Sequence, residues 1–195
     1  IEAFEQILQV QPDSETAIRS LERLYRDQKR WPELIEVYRR HLDVAGGDRE
    51  VSVFLLLATG AIFADMLGDR DQAIDAYRRI LDFDPAHQEA LQRLAGLFEQ
   101  AEEWDATVGM LQQLRAVIED KTQRVALGYR IGQLQLQQIQ DAAKAEDWFY
   151  QVLEEDPLHL PSIEALRDMA YGREDWRGAV LLLKRQEEAT RDLTE

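Results

Sequence analysis

The sequence contains no cysteine, only three histidines and no long apolar run. The lack of cysteine excludes a disulfide framework, a thiol nucleophile and a cysteine zinc site. It leaves the compartment open, although a cytoplasmic location is favoured. Because no apolar run approaches about 18 residues, we predict that no helix crosses or inserts into a membrane.

Basic residues are in the minority. The chain has 38 Asp and Glu residues against 23 Lys and Arg residues, so its net charge is −15 at pH 7. An acidic surface of this size repels phosphate groups, and we therefore expect neither nucleic acid nor an anionic membrane as a partner. The 19 Arg residues against 4 Lys residues indicate a GC-rich genome, such as a bacterial one.

The polar residues form no recognisable catalytic or metal-binding pattern. His87 and His159 each follow a proline by two residues, which predicts loop or capping roles, and neither has a second ligand at helical spacing. Acidic pairs such as Glu102-Glu103 are interpreted as solvated helix faces. The pair Gly46-Gly47 predicts an inter-helix loop and not a phosphate-binding motif. We therefore predict no cofactor, no metal and no enzymatic activity.

Landmark residues recur along the chain at a fixed interval. The tryptophans Trp31, Trp104 and Trp176 lie 73 and 72 residues apart, and so do three prolines, at positions 12, 85 and 157. Apolar residues between these landmarks recur at i, i+3 or i+4, and i+7, as one face of a helix requires. The pattern predicts a repeat of about 72 residues built from two helical hairpins.

The segments between these copies are also related to each other. Ala73 aligns with Ala145 and Tyr77 with Phe149, which predicts close helix packing at the alanines and aromatic rings that fill the gap to the next hairpin. Gly68 is expected to end one helix in the left-handed conformation, and Asp69 to cap the next helix. The recurring tryptophans are interpreted as core residues.

These residues resemble the tetratricopeptide repeat family. Leu91, Leu94, Ala95 and Phe98 match the first helix of its hairpin and Trp104 matches the aromatic turn position, while the preceding unit matches the second half through Gly68, Ala73, Tyr77 and Pro85. The resemblance implies an all-α fold, a right-handed α-solenoid of helical hairpins, as a single array over residues 1–195. Its units are the second helix of a truncated repeat at 1–14 and hairpins at 15–48, 49–85, 86–120, 121–157 and 158–195.

The sequence departs from the family pattern at two kinds of position. Glu22 and Arg167 replace the small residue of the first helix in two units. The turn glycine is kept in one unit only, and the other units have Lys29, Glu102, Gln140 and Glu174 there. The units at 49–85 and 121–157 are also expected to have longer first helices.

The resemblance implies a protein-interaction function, with a partner in the concave groove of the array. Arg19, Arg23 and Arg26 lie at i, i+4 and i+7 on one helix face, at positions that line the groove in the family, and Arg93 and Arg130 are assigned to groove positions in later units. A basic stripe on an acidic protein favours an acidic or carboxylate-bearing partner. The alternative is ordinary solvated arginines paired with neighbouring acids.

A second candidate surface lies in the apolar segment 51–67. Excess apolar area near Phe54, Leu55 and Ala58 predicts contact with a partner helix or with a second copy of the chain. The alternative is burial of this segment in the core. We therefore predict a non-catalytic scaffold for a peptide, helix or partner protein. The alternative function is a regulatory or targeting segment of a larger enzyme or assembly, because the chain opens within a helical pattern.

Overall fold

The computed structural model describes residues 1–45 and 47–192, and every regular element in these ranges is a helix. Gly46 of the predicted loop and the last three residues of the hairpin at 158–195 lie outside the described residues. The prediction of an all-α fold is confirmed. The helices are α1 (Glu2–Val10), α2 (Glu15–Asp27), α3 (Trp31–Val44), α4 (Arg49–Ala61) continued by the π-helical segment π1 (Ile62–Leu67), α5 (Arg70–Phe83), α6 (Gln88–Gln100), α7 (Trp104–Val117), α8 (Lys121–Leu134) continued by π2 (Gln135–Ile139), α9 (Ala142–Glu155), α10 (Leu160–Gly172) and α11 (Trp176–Asp192).

The chain forms two compact units, residues 1–97 and residues 98–195, and the division falls within α6. In unit 1, α2 packs on α3 and α4 packs on α5. In unit 2, α8 packs on α9 and α10 packs on α11. Consecutive helices therefore pair as hairpins inside each unit, while a single continuous array over the whole chain stays a prediction.

Capping residues and prolines set the helix boundaries. The helices α1, α5 and α9 end two residues before a proline. The Asp69 carboxylate accepts a hydrogen bond from the Gln72 backbone N–H at 3.2 Å, and the equivalent Asp141 caps α9 in the same way. Gly68 has a φ of +66°, as predicted from its place between π1 and α5.

Four residues other than glycine take the same left-handed turn conformation. Their φ angles lie between +55° and +62°, and they are Lys29, Glu102, Gln140 and Glu174. These are the four positions where the family pattern lacks its glycine. The turn geometry is therefore kept without glycine, at a backbone cost of about 1–2 kcal/mol for each residue.

Two first helices are longer than the rest, as predicted. The continuous helix α4–π1 has 19 residues and α8–π2 has 14 + 5 = 19, whereas α2, α6 and α10 have 13 each. In a π-helical turn the hydrogen bond runs from i to i+5, so the helix holds an extra residue without ending. The π segments thus explain why alternate hairpins differ and the repeat spans two of them.

The prediction that no helix crosses a membrane stays a prediction, but α4–π1 qualifies as a candidate span. Residues 49–67 are long and apolar enough to cross a membrane by length and composition alone. The sequence window is interrupted by polar residues, and only the π continuation joins its two parts into one helix. Mostly buried core helices meet the same criterion, but only 22% of this window is buried, and the buried residues of the helix are Leu55, Leu56, Gly60 and Ile62.

Each unit has an aromatic residue packed against a glycine of the longer helix. In unit 1, Tyr77 of α5 is buried against Gly60, where an added Cβ would lie 2.6 Å from the ring atom Cε1. In unit 2, Phe149 of α9 is buried against Gly132, where the corresponding distance is 2.5 Å. These glycines allow close approach within one hairpin. The aromatic rings therefore pack against the first helix of their own hairpin.

The tyrosine at the end of α2 connects this helix to α1. Tyr25 is buried, and its hydroxyl donates a hydrogen bond to the Glu5 carboxylate. Burial, followed by this hydrogen bond and the Glu5 charge, raises the pKa of Tyr25 to about 12. The phenol therefore stays protonated over the physiological range and holds α1 against α2.

The interpretation of the tryptophans as core residues is wrong for Trp176 and incomplete for the others. Trp176 is 59% exposed and contacts Tyr171 with a ring-centroid distance of 6.0 Å. Trp31, Trp104 and Trp148 are half-buried. The aromatic turn position lies at the start of a helix, where one side of the indole faces solvent.

The two histidines that follow prolines cap helices, as predicted. Nδ1 of His87 accepts the Ala90 backbone N–H at 3.2 Å. Nδ1 of His159 accepts the Ser162 backbone N–H at 3.3 Å and lies 2.9 Å from the Ser162 hydroxyl oxygen. Burial lowers the pKa of His159, against a smaller opposing effect of the Asp156 carboxylate. The neutral ring is the form that can accept these bonds.

We expect unit 2 to lose stability as the pH falls below about 6.5, the pKa of an unfolded histidine. Because the folded pKa of His159 is lowered, the unfolded state binds more protons in this range, and acid therefore favours unfolding. The loss should approach about 1 kcal/mol, the size of one helix cap. Denaturant unfolding at pH 7.5 and pH 5.5 measures it. His159→Asn keeps a capping side chain that does not titrate, and an unchanged pH dependence in this variant would contradict the assignment.

Candidate protein-binding surfaces

The predicted basic residues of α2 all lie on its exposed side. Arg19, Arg23 and Arg26 are exposed, while Ile18 and Leu21 of the same helix are buried. This separation follows the helical period, because residues three and four apart share a face. We call these three arginines the α2 basic face.

The three arginines of the α2 basic face differ in how they are held. Arg19 forms an ion pair with Glu15 at 3.1 Å, with both side chains about 70% exposed. Arg26 donates a hydrogen bond to the Tyr38 hydroxyl at 2.6 Å, and this bond raises the pKa of the guanidinium further above its ordinary value. Arg23 has no hydrogen bond or ion pair to any residue within the described ranges. The face therefore contains one anchored arginine and one uncommitted arginine.

The other two predicted arginines are paired with carboxylates. Arg93 of α6 lies 3.6 Å from Glu89, one turn earlier on the same helix. Arg130 of α8 pairs with Glu99, near the end of α6. Both arginines are exposed, and each is partly neutralised by its partner. They are separate from the α2 basic face, which belongs to a different helix.

The structure separates the two apolar residues predicted for the segment 51–67. Phe54 is 59% exposed and is available to a partner. Leu55 is 1% exposed and belongs to the core of unit 1. Because neighbouring residues of a helix point about 100° apart, Phe54 and not Leu55 can contribute to a surface at this position.

A cavity in unit 1 was missed by the sequence analysis. It has a volume of about 100 Å³ and opens between α3, α4–π1 and α5. Residues on its wall include Leu42, Phe63 and Ala76, and Arg39 and Arg79 also line it. A signal for it was present in the repeat, because the residue equivalent to Ala76 in the other unit is Trp148.

No group of three His, Asp or Glu side chains within residues 1–45 and 47–192 is arranged to hold a metal ion. The candidate surfaces of unit 1 described above are a charged helix face, an exposed phenylalanine and a small cavity with a partly apolar lining. These features are suited to contacts with side chains of another protein.

Comparison with known proteins identifies the repeat directly in one hairpin. The family model described as tetratricopeptide repeat matches residues 17–52, which include most of α2 and all of α3. No curated protein sequence matches the chain significantly.

Solved structures share the fold over most of the chain. The crystal structure of MamA has a TM-score of 0.55 at 18% identity, covering 89% of this chain and 96% of that chain. YrrB, described as a TPR protein with an unusual peptide-binding site, has a TM-score of 0.53 at 13% identity, covering 97% and 93%. A tetratricopeptide repeat protein from Parabacteroides merdae ATCC 43184 has a TM-score of 0.52 at 16% identity, covering 99% and 69%. The chain thus carries a tetratricopeptide repeat in its first complete hairpin and has the fold of tetratricopeptide repeat proteins.

Proposed function

We propose that the chain is a non-catalytic scaffold for protein–protein interaction, which binds an acidic segment of a partner in the groove formed by the first helices of its hairpins. The observation that carries the proposal is the α2 basic face. Three exposed arginines share one side of one helix, and Arg23 has no partner within the described residues. On a protein with a net charge of −15, three exposed arginines on one helix face are a local concentration of positive charge that attracts a carboxylate.

The α2 basic face is expected to affect the choice of partner and the rate of association more than the affinity. Each exposed charge pair contributes about 0.2–1 kcal/mol. Three arginines acting together steer an acidic segment and disfavour a basic one. Exposed Phe54 on α4 is the apolar residue that we assign to the same partner or to a second copy of the chain. An exposed aromatic side chain of this kind supplies contact area that charges alone do not.

The relatives support the general class of function. Tetratricopeptide repeat proteins are generally interaction scaffolds without catalytic activity, and YrrB is described as having a peptide-binding site. We extend peptide or protein binding to this chain as a proposal, without a cofactor or metal.

The test replaces Arg19, Arg23 and Arg26 together with alanine. A partner is first captured with the wild-type chain and identified by mass spectrometry, and its affinity is then measured at 0.1 M and 1 M salt. We expect the triple variant to bind more weakly at low salt. Salt screens the three arginines in the wild-type chain, because the Debye length falls from about 10 Å to about 3 Å over this range. The triple variant lacks these charges, so its affinity should change less between the two salt concentrations.

A charge-matched control separates this face from net charge alone. Arg40, Arg49 and Arg78 are exposed arginines on other helices of unit 1, and their replacement with alanine changes the net charge by the same amount. We expect this control to keep the wild-type affinity and salt slope. Equal behaviour of the two triple variants would exclude the α2 basic face as the contact, and binding would then be assigned to the surface around Phe54.

A further inference from the structure

The cavity of unit 1 lies apart from the α2 basic face. Its lining residues come from α3, α4–π1 and α5, and none comes from α2. Leu42, Leu56, Phe63 and Ala76 supply apolar surface. A second, independent contact site can therefore exist in this unit.

The same place in unit 2 can be located residue by residue. Capping residues Asp48 and Asp120, the close-packed Gly60 and Gly132, and the aromatic Tyr77 and Phe149 are each 72 residues apart. This register makes Ala76 of α5 equivalent to Trp148 of α9. On the preceding helix, Trp31 and Trp104 set a register of 73, which makes Leu42 of α3 equivalent to Arg115 of α7.

In unit 2 an indole and a guanidinium fill this place. The Arg115 guanidinium carbon lies 5.2 Å from the centroid of the Trp148 ring, within the range of a cation–π contact. Nε of Arg115 would lie 3.1 Å from a Cβ built on Gly128, the residue equivalent to Leu56 of the cavity wall. The contact between Trp148 and Arg115 thus connects α9 to α7. Unit 1 has neither group, because Ala76 stands in place of Trp148 and Leu42 in place of Arg115.

The lining of the cavity matches the chemistry of an indole. An apolar cavity of about 150 Å³ takes up a benzene molecule, so a cavity of about 100 Å³ holds only part of an indole, and the rest of the ring would lie at its opening. Arg39 and Arg79 can place a guanidinium over the ring, as Arg115 does in unit 2. The Asp75 carboxylate, which has no hydrogen-bond or ion-pair partner within the described residues, can accept the indole N–H.

We propose that this cavity binds the tryptophan side chain of a partner protein. The partner supplies to unit 1 the indole that Trp148 supplies to unit 2. The site requires no contribution from Arg19, Arg23 or Arg26, so it stands or fails independently of the function proposed above.

The test uses the full chain and two capped tripeptides, acetyl-Gly-Trp-Gly-amide and acetyl-Gly-Leu-Gly-amide, followed by amide chemical shifts in NMR spectra. We expect saturable shifts with the tryptophan peptide in α3, α4–π1 and α5, and at least about tenfold weaker binding of the leucine peptide. Equal binding of both peptides would overturn the proposal. So would uptake of free indole without binding of the tryptophan peptide, since the site would then serve a small aromatic compound.

Three variants locate the binding site. Ala76→Trp copies unit 2 and should fill the cavity, which weakens binding of the tryptophan peptide at least about tenfold. Ala76→Leu fills it in part and serves if the tryptophan variant fails to fold, as judged by circular dichroism. Trp148→Ala should leave binding in unit 1 unchanged and add shifts around Gly128 and Gln135 in unit 2. Unchanged binding in a folded Ala76 variant would overturn the assignment.

Discussion

Replacing Phe149 with alanine is expected to lower the free energy of unfolding of unit 2 by about 3–5 kcal/mol, the range for a buried phenylalanine. Phe149 is fully buried, packs against Gly132 and lies 5.7 Å from the ring centroid of Tyr129. Its removal opens a cavity between α8 and α9 that rigid helices cannot close. Denaturant unfolding followed by tryptophan fluorescence is well placed to measure the loss, because Trp104, Trp148 and Trp176 all lie in this unit.

The contact can also be tested from the glycine side, by adding a single methyl group to Gly132 and measuring the free energy of unfolding. In Gly132→Ala the new methyl group would lie 2.5 Å from Cε1 and 2.8 Å from Cδ1 of Phe149. Overpacking of this kind costs about 1–3 kcal/mol and exceeds the gain of up to about 1 kcal/mol that alanine brings to a helix interior. Gly109→Ala in α7 is the matched control, since an added Cβ there meets no atom within 4 Å. We expect the control to be stabilising.

A double variant distinguishes the contact from a general effect on the helix. Phe149→Leu removes ring atoms that clash with the new methyl group, so the cost of Gly132→Ala should be smaller in the Phe149→Leu background. Additive costs would show that Gly132 and Phe149 do not constrain each other. A Phe149→Ala variant that loses less than about 1 kcal/mol would place the ring outside the core, against its observed burial.

The sequence allowed prediction of the helices and their ends because those features depend on neighbouring residues. Gly68 and Asp69 act on the backbone within a few positions and behave as predicted, and the helices α1, α5 and α9 end two residues before a proline. The two π segments could not be predicted in this way. A π turn is stabilised by packing of the whole hairpin, and its sequence signal is one extra residue in a pattern already interrupted by substitutions.

The same extra residue is the reason that the close packing at Gly60 and Gly132 was not predicted from the sequence. Gly60 and Gly132 occupy the place of the small residue against the aromatic of the second helix, but the π segments move them one position away from where the family spacing expects them. Their separation of 72 residues was the available signal. A search for recurring glycines at the period of the two-hairpin repeat finds both.

The candidate surfaces were only partly accessible to sequence reasoning. Helical period was sufficient to place Arg19, Arg23 and Arg26 on one side of α2. It could not tell that Arg26 is held by Tyr38 across the hairpin while Arg23 is uncommitted, because this depends on tertiary packing. The segment around Phe54 and Leu55 is apolar on most sides, so its pattern could not separate the exposed residue from the buried one.

Glu155 is expected to be the most important acidic residue for the stability of unit 2. Its carboxylate pairs with Arg115 and with Nε of Arg124, the latter at 3.0 Å. The side chains are only 24%, 16% and 31% exposed, in the order Glu155, Arg115 and Arg124. Glu155→Ala would leave two partly buried guanidinium groups without their carboxylate, at a cost of about 2–3 kcal/mol. Chemical denaturation at low salt measures this cost.

A more exposed pair in the same unit is the control that decides whether burial causes the effect. Arg130 and Glu99 also pair between two helices, but their side chains are 46% and 35% exposed. Glu99→Ala should therefore cost less than about 1 kcal/mol, as surface pairs do. Glu155→Gln keeps the shape and one acceptor oxygen, and its cost should fall between the two. If Glu155→Ala costs no more than Glu99→Ala, solvent screens Arg115 and Arg124 as fully as it screens a surface pair. The connection of α9 to α7 and α8 would then depend on the stacking of Arg115 on Trp148.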